Sequence, residues 1–228
     1  MSKKIRGKNY KKWAEKVPAD KVSLAEGVGI VKTFRTEKWD PSVNLTMWLG
    51  IDPKQADQAL RGAVSLPHGI GATKKVIAFC DGDDIARAKA AGAIEAGSDE
   101  LIKKVADGWL DFDVAVATPA LMKNVSRLGR VLGPQGKMPS PKAGTVVTDI
   151  STAVKEYAAG KVEYRNDDGG NLHVVIGKAS FEANLLVENA EAMIQHIRRA
   201  KPATAKGQYF KGVCLSTTMS PAVKVDVQ

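Results

Sequence analysis

Three carboxylates crowd into four positions at Asp81-Gly82-Asp83-Asp84, directly after the apolar run at 76–80. Carboxylates at the C-terminal end of a parallel strand can hold a metal ion for phosphoryl transfer. Asp83 and Asp84 also stand where a helix begins, and acids there satisfy the free amides and the helix dipole. Two glycine-rich stretches fail on context. Gly69-Ile-Gly71-Ala-Thr-Lys74 has no third glycine of a dinucleotide fingerprint and precedes a strand instead of following one. Gly133-Pro-Gln-Gly136-Lys137 lacks the Ser or Thr that a phosphate loop needs for magnesium, and Pro134 removes an amide donor. His68, His173 and His196 have no metal-ligand spacing with one another or with Cys80 and Cys214. There is no Gly-x-Ser-x-Gly elbow. The expectation is a protein with no catalytic residue, no metal site and no cofactor.

The basic residues offer a different chemistry. The 228 residues contain 34 Lys and Arg against 25 Asp and Glu, a formal charge of +9 that favours an anionic partner such as nucleic acid. Residues 70–159 hold 12 basic and 11 acidic side chains, so nearly all of the excess lies towards the two ends. The arm at 1–16 carries Lys3, Lys4, Arg6, Lys8, Lys11, Lys12 and Lys16 against Glu15 alone, with Tyr10 and Trp13 among them. Such arms track phosphates, or are simply solvated. Within the middle segment, 81–113 has nine acids and four bases, while 114–148 has Lys123, Arg127, Arg130, Lys137 and Lys142 and no acid. Arg127, Arg130 and Lys137 on that basic pole are candidate secondary contacts to RNA. Arg198, Arg199 and Lys201 complement the C-terminus of their helix.

These residues need elements to position them. Val43, Leu45, Met47, Leu49 and Ile51 alternate with polar or small residues, the period-2 pattern of a strand buried on one face. Alternation returns at Leu172, Val174 and Ile176, at Val213 and Leu215, and at Val223, Val225 and Val227. Leu186, Ala190, Met193, Ile194 and Ile197 recur at helical spacing, with Ser180 as N-cap and Pro202 past the end. In the middle, 76–80 and 114–117 are continuous apolar runs, expected of strands buried on both faces of a parallel sheet. Helical stretches at 84–91, 99–107, 119–128 and 150–159 alternate with them. The predicted fold is α/β: an α+β outer domain of residues 1–67 and 160–228, and an inserted, doubly wound, Rossmann-like α/β domain of 68–159. Segments 61–71 and 158–160 form a hinge between the two.

Several classes drop out on composition. No apolar stretch approaches the roughly 20 residues that cross a bilayer. Residues 1–16 have no apolar core of a secretory signal and are richer in Lys than a mitochondrial presequence. Cys80 and Cys214 each sit in an apolar run and read as buried core thiols of a reducing compartment, which points to the cytoplasm.

One long segment is distinctive: Arg127-Leu-Gly-Arg-Val-Leu-Gly-Pro-Gln-Gly-Lys-Met-Pro-Ser-Pro-Lys-Ala-Gly-Thr145. It resembles the signature of the large-subunit ribosomal protein L-one family, bacterial type. Leu49-Gly-Ile-Asp-Pro53, Arg61-Gly-Ala-Val-Ser-Leu-Pro-His-Gly69, Val162-Glu-Tyr-Arg165, Gly177-Lys-Ala-Ser-Phe181 and Thr217-Thr-Met-Ser-Pro221 look like that family in the same order, from about residue 20 to the end. The resemblance implies a non-enzymatic, structural constituent of the large ribosomal subunit. Such a protein binds large-subunit rRNA and forms the mobile stalk near the tRNA exit (E) site. It further implies E-site tRNA as a partner, translational repression of its own operon through the mRNA leader, a monomer outside the ribosome and a cytoplasmic location with no membrane partner.

The family's RNA-contacting strip maps onto Trp39, Lys178, Ser180, Thr217, Thr218, Met219 and Ser220. An aromatic can pack on a ribose, hydroxyls can bond 2′-OH and phosphate oxygens, and Lys178 supplies charge. Three positions depart from the family's usual pattern: Ser220 stands for Gly, Trp39 for Phe and Asn44 for Glu. A Gly at 220 would permit close backbone approach, whereas Ser adds a Cβ, restricts positive φ and offers a hydroxyl that could bond RNA. Two other classes compete: a metal-dependent phosphoryl-transfer enzyme built on Asp81, Asp83 and Asp84, and a sequence-blind RNA chaperone driven by the basic arm.

Overall fold

The computed structural model describes residues 7–34 and 38–227. In chain order its helices and strands are α1 (Lys8–Ala14), α2 (Leu24–Lys32), β1 (Ser42–Leu49), β2 (Arg61–Val64), β3 (Val76–Phe79), α3 (Asp83–Ala90), β4 (Glu95–Gly97), α4 (Asp99–Ala106), β5 (Val114–Ala117), α5 (Met122–Val125), α6 (Gly129–Leu132), α7 (Ile150–Ala158), β6 (Val162–Arg165), β7 (Asn171–Lys178), α8 (Ala183–Arg199), β8 (Phe210–Thr217) and β9 (Val223–Val225). The fold is α/β. Lys3, Lys4 and Arg6 of the basic arm lie outside the described residues. Among those described, no helix is long and apolar enough to cross a membrane.

The chain divides into two compact units. One comprises residues 1–60, 66–71 and 164–228, the other 61–65 and 72–163. The first is built on an antiparallel sheet of order β7-β1-β8-β9. One face of each strand is buried, because the alternating residues Val43, Leu45, Met47, Leu172, Val174, Ile176, Val213, Leu215, Val223 and Val225 point into the core. Helices α2 and α8 pack on that face and on each other. Ser23 starts α2 through a capping box: its hydroxyl accepts from the Glu26 amide at 3.3 Å, and the Glu26 carboxylate accepts from the Ser23 amide at 3.2 Å. Gly27 lets α2 lie close to the sheet, since a Cβ there would stand 3.0 Å from Val225 Cγ2. In α1, Trp13 packs against Phe34 with ring centres 5.8 Å apart, so this aromatic serves the fold.

Residues 68–71, expected in the inserted domain, belong to the first unit. Asn189, fully buried in α8, holds them there. Its side chain accepts from the His68 amide at 3.1 Å and donates to the carbonyls of Gly69 at 3.0 Å and Ile176 at 2.9 Å. A buried amide with three partners is a strong local constraint.

The second unit has a parallel sheet of order β4-β3-β5 with helices on both faces. Val76, Ala78 and Cys80 face α3 and α7, packing with Ala88, Ile150, Ala153, Val154 and Tyr157. Ile77 and Phe79 face the other way, with Leu101 and Val105 of α4 and with Val125, Leu128 and Leu132. This is a doubly wound arrangement. Strands β2 and β6 form a separate two-stranded sheet. One expectation fails here, and one element is new. The helix expected over 119–128 is broken into α5, a 3-10 turn at Ser126–Leu128 and α6. Gly129 inside the run and Gly133 at its end weaken any continuous helix. Strand β4 is absent from the sequence reading, because Glu-Ala-Gly carries no β-branched or aromatic residue.

Candidate nucleic-acid interface

Most of the predicted strip gathers at the end of the antiparallel sheet where β7 and β8 stop and β1 begins. The register sets Ser42 opposite Lys178 and Val43 opposite Thr217. Residues 136 and 176 positions apart in sequence thereby touch. The Lys178 ammonium donates to Ser42 Oγ at 3.3 Å, and the Thr218 amide donates to the Ser42 carbonyl at 3.1 Å. Immediately before β1, Trp39 stands 44% exposed. Its neighbour Asp40 accepts from the Ser180 amide at 3.0 Å and the Ser180 hydroxyl at 2.6 Å. Ser180 is therefore not the helix cap expected of it. Helix α8 begins at Ala183 with Glu182 at the N-cap, and the Ser180 hydroxyl ties the segment after β7 to the one before β1.

The turn after β8 carries the strongest local signal. Met219 has φ +73°, the single left-handed non-glycine residue among those described, and is 77% exposed. That conformation costs a non-glycine residue about 1–2 kcal/mol. Strain combined with an exposed, polarisable apolar side chain marks a contact point better than either alone. The left-handed position of the turn is thus 219, one residue before the serine. Ser220 is not left-handed, so its Cβ meets no conformational penalty. Its hydroxyl closes the turn, accepting from the Thr217 amide at 2.9 Å and donating to the Pro221 carbonyl at 2.9 Å.

Thr217 is different. It is buried, 2% exposed, and its Oγ1 has no hydrogen-bond partner among the described residues. It lies behind the strip, while Thr218 is exposed. Asp40 and Ser42 are the residues that sequence reasoning missed. Nothing in their local sequence signals the role, because it arises from pairing with residues more than 130 positions away. Asn44, the third departure, occupies the same strand two residues further on, on its half-buried face.

In the second unit, Arg127 and Arg130 are exposed. Lys137 is engaged internally: it donates to the Leu110 carbonyl at 3.0 Å and lies 5.1 Å from the Phe112 ring centre. The acidic cluster sits at the start of α3, whose N-cap is Gly82, and Asp84 pairs with Arg87 at 3.5 Å. Among the described residues, no three His, Cys, Asp or Glu come together as metal ligands would. Cys80 is buried, and burial together with Asp84 and Asp81 pushes its thiol up to about 11. Cys214, expected in the core, is only half-buried, on the face of β8 opposite Val213 and Leu215.

The comparisons agree with one another. A protein of Lactobacillus acidophilus named large ribosomal subunit protein uL1 is 50% identical over 221 residues, covering 96% of this chain and 96% of its own. One of the same name from Beutenbergia cavernae is 49% identical over 220 residues, covering 96% of this chain and 92% of its own. The sequence pattern of the ribosomal protein L1p/L10e family matches residues 31–221. The chain belongs to the ribosomal protein L1p/L10e family.

Proposed function

We propose that this chain is a structural constituent of the large ribosomal subunit and docks on large-subunit rRNA through the strip at the end of its antiparallel sheet. The observation that carries the reading is the turn 217–220. There an exposed, strained Met219 stands beside exposed Thr218, in the turn at the end of β8, where strand pairing brings Lys178 with Ser180 and Trp39 close to the same sheet end. Met219 and Trp39 would pack on ribose and base surfaces. Thr218 would bond 2′-OH or phosphate oxygens, and Lys178 would neutralise phosphate. Ser180 and Ser220 hold the two sides of the strip through Asp40 and through the closed turn. Thr217 supports them from within. Arg127 and Arg130 add a weaker phosphate contact from the second unit, and Lys137 adds one only by leaving Leu110.

The same reading places the protein, a monomer when free, in the cytoplasm on the ribosome. There it forms the mobile stalk beside the E site and meets E-site tRNA, its two units moving about the connecting segments. It also represses its own operon by binding a leader mRNA that repeats the rRNA fold. The role is structural and requires no cofactor. The supporting observations are the names carried by the relatives and the +9 charge concentrated towards the chain ends.

The test is a titration of the purified protein with the stalk rRNA fragment and with shuffled RNA of equal length, repeated across salt. The reading expects the stalk fragment to win by about a thousandfold at physiological salt, the lower range of specific recognition measured for DNA. Equal binding, with equal salt slopes, would leave only a polycation.

A further inference from the structure

Among the described residues, α2 and α8 are the helices that pack closely on the antiparallel sheet, and at one end its opposite face forms a basic, aromatic concavity of about 430 Å³. Trp48 stands on it 50% exposed, opposite Gly212 on β8 and Asn171 on β7. A Cβ built on Gly212 meets no heavy atom within 4 Å, so the space beside the indole is open. The floor is small and smooth, with Thr46 and Cys214. Lys21, Lys211 and Lys224 line the rim, and no acidic side chain of the described residues lines it with them. Two carboxylates pair with lining residues from outside it: Asp226 with Lys21 at 3.9 Å, and Asp167 with Asn171 at 3.0 Å, the latter also 3.6 Å from His173. The Lys211 ammonium waits 5.1 Å from the indole centre.

We propose that this concavity is a second RNA site, a stacking platform for an unpaired nucleobase of a single-stranded segment, separate from the strip. It rests on the reading of the protein as an RNA binder. Trp48 lies six residue steps along β1 from Ser42, about 20 Å, so one nucleotide cannot fill both sites. A half-exposed indole over an open floor takes the π-face of any base, and the lysines take the flanking phosphates. A base that displaces the Lys211 ammonium from the ring leaves that flexible cation free for the adjoining phosphate. Bases inside a duplex are stacked on one another and cannot present a face to Trp48, so the ligand is single-stranded.

The experiment measures binding of the full chain to a labelled ten-nucleotide oligouridine and to the folded stalk rRNA fragment. Trp48→Ala should weaken oligouridine binding about tenfold or more, and Trp48→Phe should restore most of it. Lys211→Gln should lower the magnitude of the log–log salt slope by about 0.7. Met219→Ala should leave oligouridine binding unchanged while weakening the folded fragment. The proposal is overturned if Trp48→Ala, folded by circular dichroism, binds oligouridine like the parent. It is equally overturned if the parent ignores oligouridine while holding the folded fragment, an outcome that leaves the strip standing. Failure to bind either RNA removes both readings. If polyglutamate of matched charge displaces the oligouridine and depends on Trp48 to the same degree, the face is a site for acidic peptide instead.

Discussion

Replacing Met219 separates the strain of its turn from the contact its side chain makes. Alanine keeps the left-handed backbone of φ +73° and removes the long side chain, whereas glycine removes the side chain and the strain together. Relief of the left-handed conformation is worth about 1–2 kcal/mol. Glycine's greater freedom in the unfolded chain returns roughly 0.5–1 kcal/mol of that. The Met219→Gly protein should therefore be more stable than Met219→Ala by about 0.5–1 kcal/mol, a melting difference of about 1–4 °C in a chain of this size. Binding should respond otherwise. The side chain is 77% exposed, so nearly all of its apolar surface is available to be covered by RNA. Covering a Met side chain is worth about 1.5–3 kcal/mol, which corresponds to a loss of about 10- to 100-fold in affinity for the stalk rRNA fragment. The loss should be the same in both variants. Calorimetry and a filter-binding titration on the same preparations read the two effects. Equal stability of the Ala and Gly variants would refute the strain argument. Undiminished affinity in both would take Met219 out of the interface.

Further outcomes follow from neighbouring contacts. Ser220→Gly deletes the acceptor of the Thr217 amide and should destabilise the first unit by about 1–2 kcal/mol in urea titration. An unchanged midpoint would mean the hydroxyl does not close the turn. Asn189→Ala strands the His68 amide and the Gly69 and Ile176 carbonyls, and should cost about 3 kcal/mol, read as a lower urea midpoint and faster exchange of the His68 amide. Gly50→Ala puts a Cβ 2.2 Å from the Gln208 carbonyl oxygen, so soluble yield and melting temperature should fall sharply. Cys80 is protonated in the folded protein up to about pH 11 but ionises earlier when unfolded. Its contribution is complete below the unfolded pKa and is lost as pH rises through the folded one. Stability should thus decline above about pH 9, near the ordinary thiol range, and Cys80→Ala should flatten that decline in urea midpoints taken at pH 8–11.

How much of this was readable in the chain depended on range. Strands β1, β7, β8 and β9 announced themselves because one buried face imposes a period of two, and α8 because its buried residues recur at helical spacing. The continuous apolar runs of β3 and β5 gave the parallel sheet. Helix α2 has one local signal, the Ser23 and Glu26 pair three residues apart. Its glycines at 27 and 29 obscured it, one of them present for close packing on Val225. Strand β4 had no local signal and exists because β3 offers it a partner. For the strip, residue types were legible but geometry was not. Ser180 reads as a cap in one dimension and as a partner of Asp40 in three. The burial of Thr217 and the left-handed turn at Met219 likewise depend on strands paired across more than 130 residues.

The most direct test of the central claim compares the parent with a Lys178→Gln, Met219→Ala double variant. Each is titrated with the stalk rRNA fragment and with shuffled RNA at physiological salt. Lys178 ends β7 and Met219 lies in the turn after β8, at the same end of the sheet, so neither change alone removes the strip. The account predicts that affinity for the stalk fragment falls about 100-fold or more while affinity for shuffled RNA changes by less than about threefold, one phosphate contact having been lost. A parallel loss on both RNAs, or no loss on either, would contradict the assignment of specific recognition to this strip.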